Sequence, residues 1–190
     1  MSRANAVHAL ALLPLLAATT PGVASAQSIC PSNPEGGTMT REITTRVEID
    51  APAQRVWDIL VDFERHPEWN PFIEEISGEA RQGSRLSLTV RPPGGRAMSF
   101  EPTVLAAEEP RELRWLGRVG LPRIFDGEHR FVLEPLGAEC VRLIHAECFR
   151  GILVPLLWRS LEARTREGFE QMNRALKERA ENSVSMASPH

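Results

Sequence analysis

The feature that most constrains this chain is one long amphipathic segment near its C-terminal end. Across 151–181, Trp158, Leu161, Thr165, Gly168/Phe169, Met172 and Leu176 recur at spacings of three and four. Arg159, Glu162, Arg166, Glu170, Arg174 and Glu178 fall on the other faces, the pattern of a helix with one buried stripe. Pro155 falls in its first turn, where a missing N–H costs little. Such a helix must cover its stripe, and the upstream chain offers mainly strands to cover it with. Leu161, Phe169, Met172 and Leu176 are therefore expected to pack across the concave side of a sheet.

Those strands are read from alternation. Ile43, Thr45, Val47 and Ile49 alternate with Glu42, Thr44, Arg46 and Glu48, giving one buried and one solvated face. Asp50 and Pro52 end this first strand. A short helix over 53–63 follows, with Val56, Ile59, Leu60 and Phe63 on one side, then a second short helix or turn around His66–Phe72. Further strands are expected over 73–80, 85–91, 97–107, 111–119, 125–135 and 140–150. Pro92-Pro93-Gly94-Gly95 and Leu136-Gly137-Ala138-Glu139 mark turns between them. Seven strands joined by short links imply an antiparallel meander, and the fold class is α+β: a seven-stranded curved antiparallel sheet around a long C-terminal helix.

The chain has 190 residues, a size for one domain. Its 22 Lys+Arg against 25 Asp+Glu give a net charge of -3, which disfavours a nucleic-acid partner. Arg3, the apolar run from Ala9 to Ala18 and Ala24-Ser25-Ala26 have the three parts of a secretory signal. Residues 1–26 are therefore expected to be removed and the protein to be exported, periplasmic or secreted. Residues 27–39 read as a flexible leader, 40–182 as the domain and 183–190 as a disordered tail. No later segment is long and apolar enough to cross a membrane. Cys140 and Cys148 share one strand about 26 Å apart and cannot pair. Cys30 either bridges to one of them or all three are structural or free, the second being favoured. No cysteine spacing suggests a metal.

Taking the apolar ends of the last two strands as inward places His129, Phe131, His145, Glu147 and Phe149 on the concave face. A tight hairpin at Gly137–Ala138 sets His129 opposite His145 or Glu147, with directly opposed Cβ atoms about 4.5–5.5 Å apart. Phe100 and Trp115 join them from earlier strands. Two histidines and a glutamate in an apolar chamber fit three roles: a satisfied structural hydrogen-bond group, orientation of a ligand, or acid–base or metal chemistry. Trp69-Asn70 either lines an entrance or stabilises a turn. The Walker loop, the Rossmann glycine pattern and the Gly-x-Ser-x-Gly elbow are all missing.

The order strand, two short helices, six strands, long helix resembles the SRPBCC superfamily, the START-like and birch-allergen-like helix-grip proteins. Val47–Leu60 resembles its opening strand and helix, and Asp62–Phe72 its D-x-x-x-x-P-x-W-N-P segment. Glu112–Trp115, Phe125–Phe131 and His145–Gly151 are similar to a bacterial polyketide cyclase-like subgroup. The resemblance covers about residues 41–180. It implies a cavity for an apolar, lipid-like or polyketide-like molecule between sheet and helix, and no cofactor. It leaves two functions open: a carrier of that molecule, or a cyclase/dehydratase using His129, His145 or Glu147 as acid and base. The ligand-contact set expected on this basis is Trp69, Asn70, Phe100, Trp115, His129, Phe131, His145, Glu147 and Phe149.

Overall fold

A computed structural model describes Cys30 and residues 40–185. The expected signal segment, the rest of the leader and residues 186–190 lie outside the described residues. The elements are β1 (Thr40–Ile49), α1 (Ala53–Val61), a 3-10 helix (Phe63–Glu68), β2 (Ile73–Ser77), β3 (Ser87–Val90), β4 (Met98–Phe100), β5 (Thr103–Glu108), β6 (Glu112–Val119), β7 (Phe125–Pro135), β8 (Val141–Arg150) and α2 (Val154–Ser185). The class is α+β, as expected, with an antiparallel sheet and a long C-terminal helix. The strand count is eight among the described residues, not seven.

The extra strand arises at Glu101-Pro102. Proline has no N–H to give to a ladder, so 97–107 breaks into β4 and β5, which then join different sheets. One sheet runs β1-β8-β7-β6-β5 and the other β2-β3-β4, with every pair antiparallel. The Pro102 carbonyl still accepts from the Leu86 N–H at 2.9 Å, and Arg85 bridges Thr103, so the smaller sheet continues the curve of the larger. Helix α2 runs to Ser185, so the first residues of the expected tail are helical.

Phe169, Met172, Leu176 and Ala180 of α2 are fully buried and Leu161 is half-buried against the same core. Gly168 makes the close approach possible: a Cβ there would lie 2.2 Å from the Phe72 ring. The core also takes Val56, Trp57 and Leu60 from α1, and Ile43, Leu113, Phe131 and Leu143 from the large sheet.

The cysteine expectation is corrected. Cys30 and Cys148 form a disulfide, with Cα atoms 5.7 Å apart, while Cys140 is free. Alternation puts Cys148 on the face of β8 opposite His145 and Glu147, paired across the ladder with Glu42 of β1; no spacing in the sequence shows that Cys30 approaches it. The bridge closes a span of 118 residues, which restricts the unfolded chain strongly. Cys30→Ser should therefore lower stability by about 2–4 kcal/mol in oxidising buffer. With reductant present, denaturant titrations of the two proteins should coincide.

Candidate functional site

The β6–β7–β8 register builds the site in rows. Trp115 pairs with His129 and His129 with Glu147; one row further, Leu113 pairs with Phe131 and Phe131 with His145. In the next row Gly117, Gly127 and Phe149 stand side by side. His129 thus lies directly opposite Glu147, and His145 sits on the diagonal. Diagonal neighbours on one face remain within reach of long side chains, and the two histidines use that reach: their Nε2 atoms are 2.8 Å apart.

A hydrogen-bond chain extends from this pair into α2. His145 Nδ1 lies 2.9 Å from Asn173 Oδ1, the Asn173 amide donates to Thr45 Oγ1 at 2.9 Å, and the Thr45 hydroxyl donates to the His145 carbonyl at 3.3 Å. Thr45 has one hydroxyl proton, so it can only accept from Asn173. That sets the amide oxygen toward His145, whose Nδ1 must carry the hydrogen. A neutral His145 then accepts at Nε2, so His129 donates from Nε2 and keeps a lone pair on Nδ1. Glu147 Oε2 lies 3.4 Å from that Nδ1. Two lone pairs facing each other need a proton between them, and burial decides who keeps it.

Burial favours neutral forms at both ends. It pushes the Glu147 carboxyl up to about 8 and the His129 imidazole down to about 3. His145 is lowered well below its ordinary value by burial and then by the neighbouring His129. Burial thus favours the protonated form of Glu147 at neutral pH, with His129 Nδ1 as the acceptor its Oε2 faces. Its other oxygen, Oε1, lies over Gly127, where a Cβ would come within 2.6 Å. Glycine at 127 is what leaves room for the carboxyl.

These groups open on a cavity of about 310 Å³. Phe72, Leu88, Val90 and Phe100 wall one side, Trp115, Phe125 and Phe149 the other, and Leu153, just before α2, joins Leu157 and Leu161 of its first turns in the lining. His129, Glu147 and Thr165 are the lining residues with polar side chains. Trp115 stacks on His129 with ring centroids 4.9 Å apart, and Phe169 stacks on His145 at 3.7 Å.

Of the nine expected contact residues, Phe100, Trp115, His129, Glu147 and Phe149 line the cavity. Phe131 and His145 are fully buried behind them. Trp69 and Asn70 are not brought to it. Asn70 Oδ1 accepts from the Phe72 and Ile73 N–H groups and its amide meets His66 Nδ1, while His66 Nε2 donates to the Leu60 carbonyl. This is turn chemistry that launches β2. Asn173, Thr45 and Gly127 were missed by sequence reasoning. The available signal was a polar residue at an apolar position: Thr45 in the inward set of β1, Asn173 next to Met172 on the buried stripe. Among the described residues, the one cluster spaced for a metal is Cys30, Glu42 and Cys148. Its sulfurs are joined to each other and offer no thiolates. His129 and the His145 behind it spend their Nε2 atoms on each other, so the trio does not converge on a common ion.

A family model described as polyketide cyclase / dehydrase and lipid transport matches residues 40–181. The chain belongs to that family. No curated protein matches it. Among solved structures, this family member is similar to a START superfamily protein from Mycobacterium smegmatis: 27% identity over 74% of this chain and 97% of that one, TM-score 0.59. The Zhui aromatase/cyclase from Streptomyces sp. R1128 matches at 20% identity over 77% and 96%, TM-score 0.64. Norcoclaurine synthase from Thalictrum flavum matches at 14% identity over 79% and 99%, TM-score 0.63. At those two identities the likeness is one of fold.

Proposed function

We propose that this protein binds and carries an apolar small molecule in the cavity between sheet and α2, outside the cytoplasm. The observation that carries the reading is the lining: aromatic and aliphatic walls with Glu147, His129 and Thr165 as the few placed polar groups, the usual make-up of a small-molecule site. The family's description, which includes lipid transport, points the same way. Export is supported by the Arg3–Ala26 signal pattern and by the Cys30–Cys148 bridge, a bond that persists in oxidising compartments. The test is native mass spectrometry of protein purified from its source. The expected result is a chain beginning at Gln27 with a bound apolar molecule that is released on denaturation. Chains that begin at Met1 or Ser2 overturn the export, and a chain that never retains an apolar molecule overturns the carriage.

One observation favours a second reading, a cyclase or dehydratase. A protonated Glu147 beside a neutral His129 pairs an acid with a base at the cavity wall, a combination suited to proton transfer. Conversion of a bound molecule, abolished in Glu147→Gln while binding survives, would give this reading precedence.

A further inference from the structure

The mouth of the cavity has a composition unlike the rest of the surface. Eight large hydrophobic residues are exposed among the described residues, and seven of them sit at this one end: Met98, Val119, Leu121, Ile152, Leu153, Leu156 and Leu157. Leu136, the eighth, lies on the β7–β8 turn at the opposite end of the strands. Leu121, Ile152 and Leu156 are 71–79% exposed and do not line the cavity. Met98, Val119, Leu153 and Leu157 do both, half in solvent and half on its wall.

Three segments bring them together: 91–98, 117–125 and 150–160. The Ile152 and Leu153 N–H groups donate to the Arg123 and Ile124 carbonyls at 3.1 Å, tying two lips into one rim. These segments hold six arginines, Arg91, Arg96, Arg118, Arg123, Arg150 and Arg159, and no Asp or Glu, in a chain of net charge -3. Acids on neighbouring strands meet part of that charge: Glu74 lies 2.6 Å from Arg91 and Asp126 lies 3.8 Å from Arg118. Asp126 also pairs with Arg150 across the β7–β8 ladder. The rim is therefore basic and its crest aliphatic, around an apolar opening.

We infer that this rim docks on an anionic phospholipid bilayer, with Leu121, Ile152 and Leu156 entering the headgroup–acyl boundary and the arginines meeting lipid phosphates. Contiguous exposed apolar surface marks a contact site, and aliphatic side chains joined with basic ones are what bind a charged membrane interface. Self-association fits less well. A two-fold interface pairs a patch with itself, which here brings two basic rims together. Docked this way, the cavity opens toward the bilayer, the one phase that dissolves apolar molecules freely. The docking itself does not depend on a cavity ligand, since the three crest residues lie outside the lining.

The test is sedimentation of the purified chain with vesicles of phosphatidylglycerol and phosphatidylcholine in equal parts, and of phosphatidylcholine alone. Wild type should bind the anionic vesicles at least tenfold more tightly than the neutral ones, less so as salt is raised. Ile152→Asp with Leu156→Asp should weaken that binding at least tenfold while the melting curve stays at wild-type values. Arg96→Glu with Arg159→Glu, which leaves the aliphatic crest intact, should weaken binding to anionic vesicles alone. Wild type remaining in the supernatant, or both double variants binding as wild type does, overturns the inference. So does a wild-type dimer that the aspartate variant dissolves without any vesicle binding. Because the crest variants spare the cavity wall, retention of a small molecule stays readable in them, and loss of docking is separable from loss of carriage.

Discussion

Stability of Glu147→Gln measured against the parent protein is expected to rise with pH, by up to about 5 kcal/mol between pH 4.5 and pH 8. Glu147 is raised from 4.5 to about 8 on folding, so the folded protein binds a proton that the unfolded chain releases across this range. Its stabilising contribution is whole below the unfolded value and is lost as pH climbs to the folded one, at about 1.4 kcal/mol per unit. Glutamine keeps a donor for His129 Nδ1 and has no proton to lose. His129 behaves oppositely: lowered from 6.5 to about 3, it stabilises fully above 6.5 and loses that contribution as pH falls. His145 moves in the same direction. In the parent protein the two trends oppose each other between 4.5 and 6.5, and above 6.5 the glutamate alone pulls stability down. Urea titrations of both proteins across this range are the measurement. A pH-independent difference would mean that Glu147 is ionised in the fold and that the proton order along Glu147, His129, His145 and Asn173 is wrong.

Phe169→Ala should cost about 3–5 kcal/mol, the range for truncating a buried aromatic core residue. Phe169 is fully buried, stacks on His145 at 3.7 Å and meets Phe72 edge-on at 5.5 Å. Removing the ring leaves a void between α2 and the hydrogen-bonded histidines, and a packed core forgives such a void poorly. A loss below about 1 kcal/mol in denaturant titration would place the side chain at the cavity edge and not in the core. The melt should remain cooperative, because Met172, Leu176 and Ala180 still hold the helix to the sheet.

The periodic parts of the fold were legible in the sequence because each is decided locally. Alternation in β1, β7 and β8 and the three-and-four spacing of α2 follow from which side chains water excludes, so the inward set of His129, His145 and Glu147 could be named residue by residue. Boundaries were less legible where one residue breaks a ladder. Pro102 divided an expected strand in two and moved its halves into separate sheets.

What the sequence by itself determined was therefore the class of fold, the burial of Phe169, Met172 and Leu176, and the meeting of two histidines and a glutamate on one apolar face. Only the tertiary structure decided which of them touch. Two registers were open from the hairpin; the one adopted puts Glu147 opposite His129 and His145 on the diagonal. It also carried Asn173 from α2 and Thr45 from β1 onto His145, across sequence separations that no local period spans. Cys30 against Cys148 is the same case. Local pattern records what each residue prefers to face, whereas a proton's place on Glu147 depends on four other residues and on the absence of water, which are properties of the assembled core.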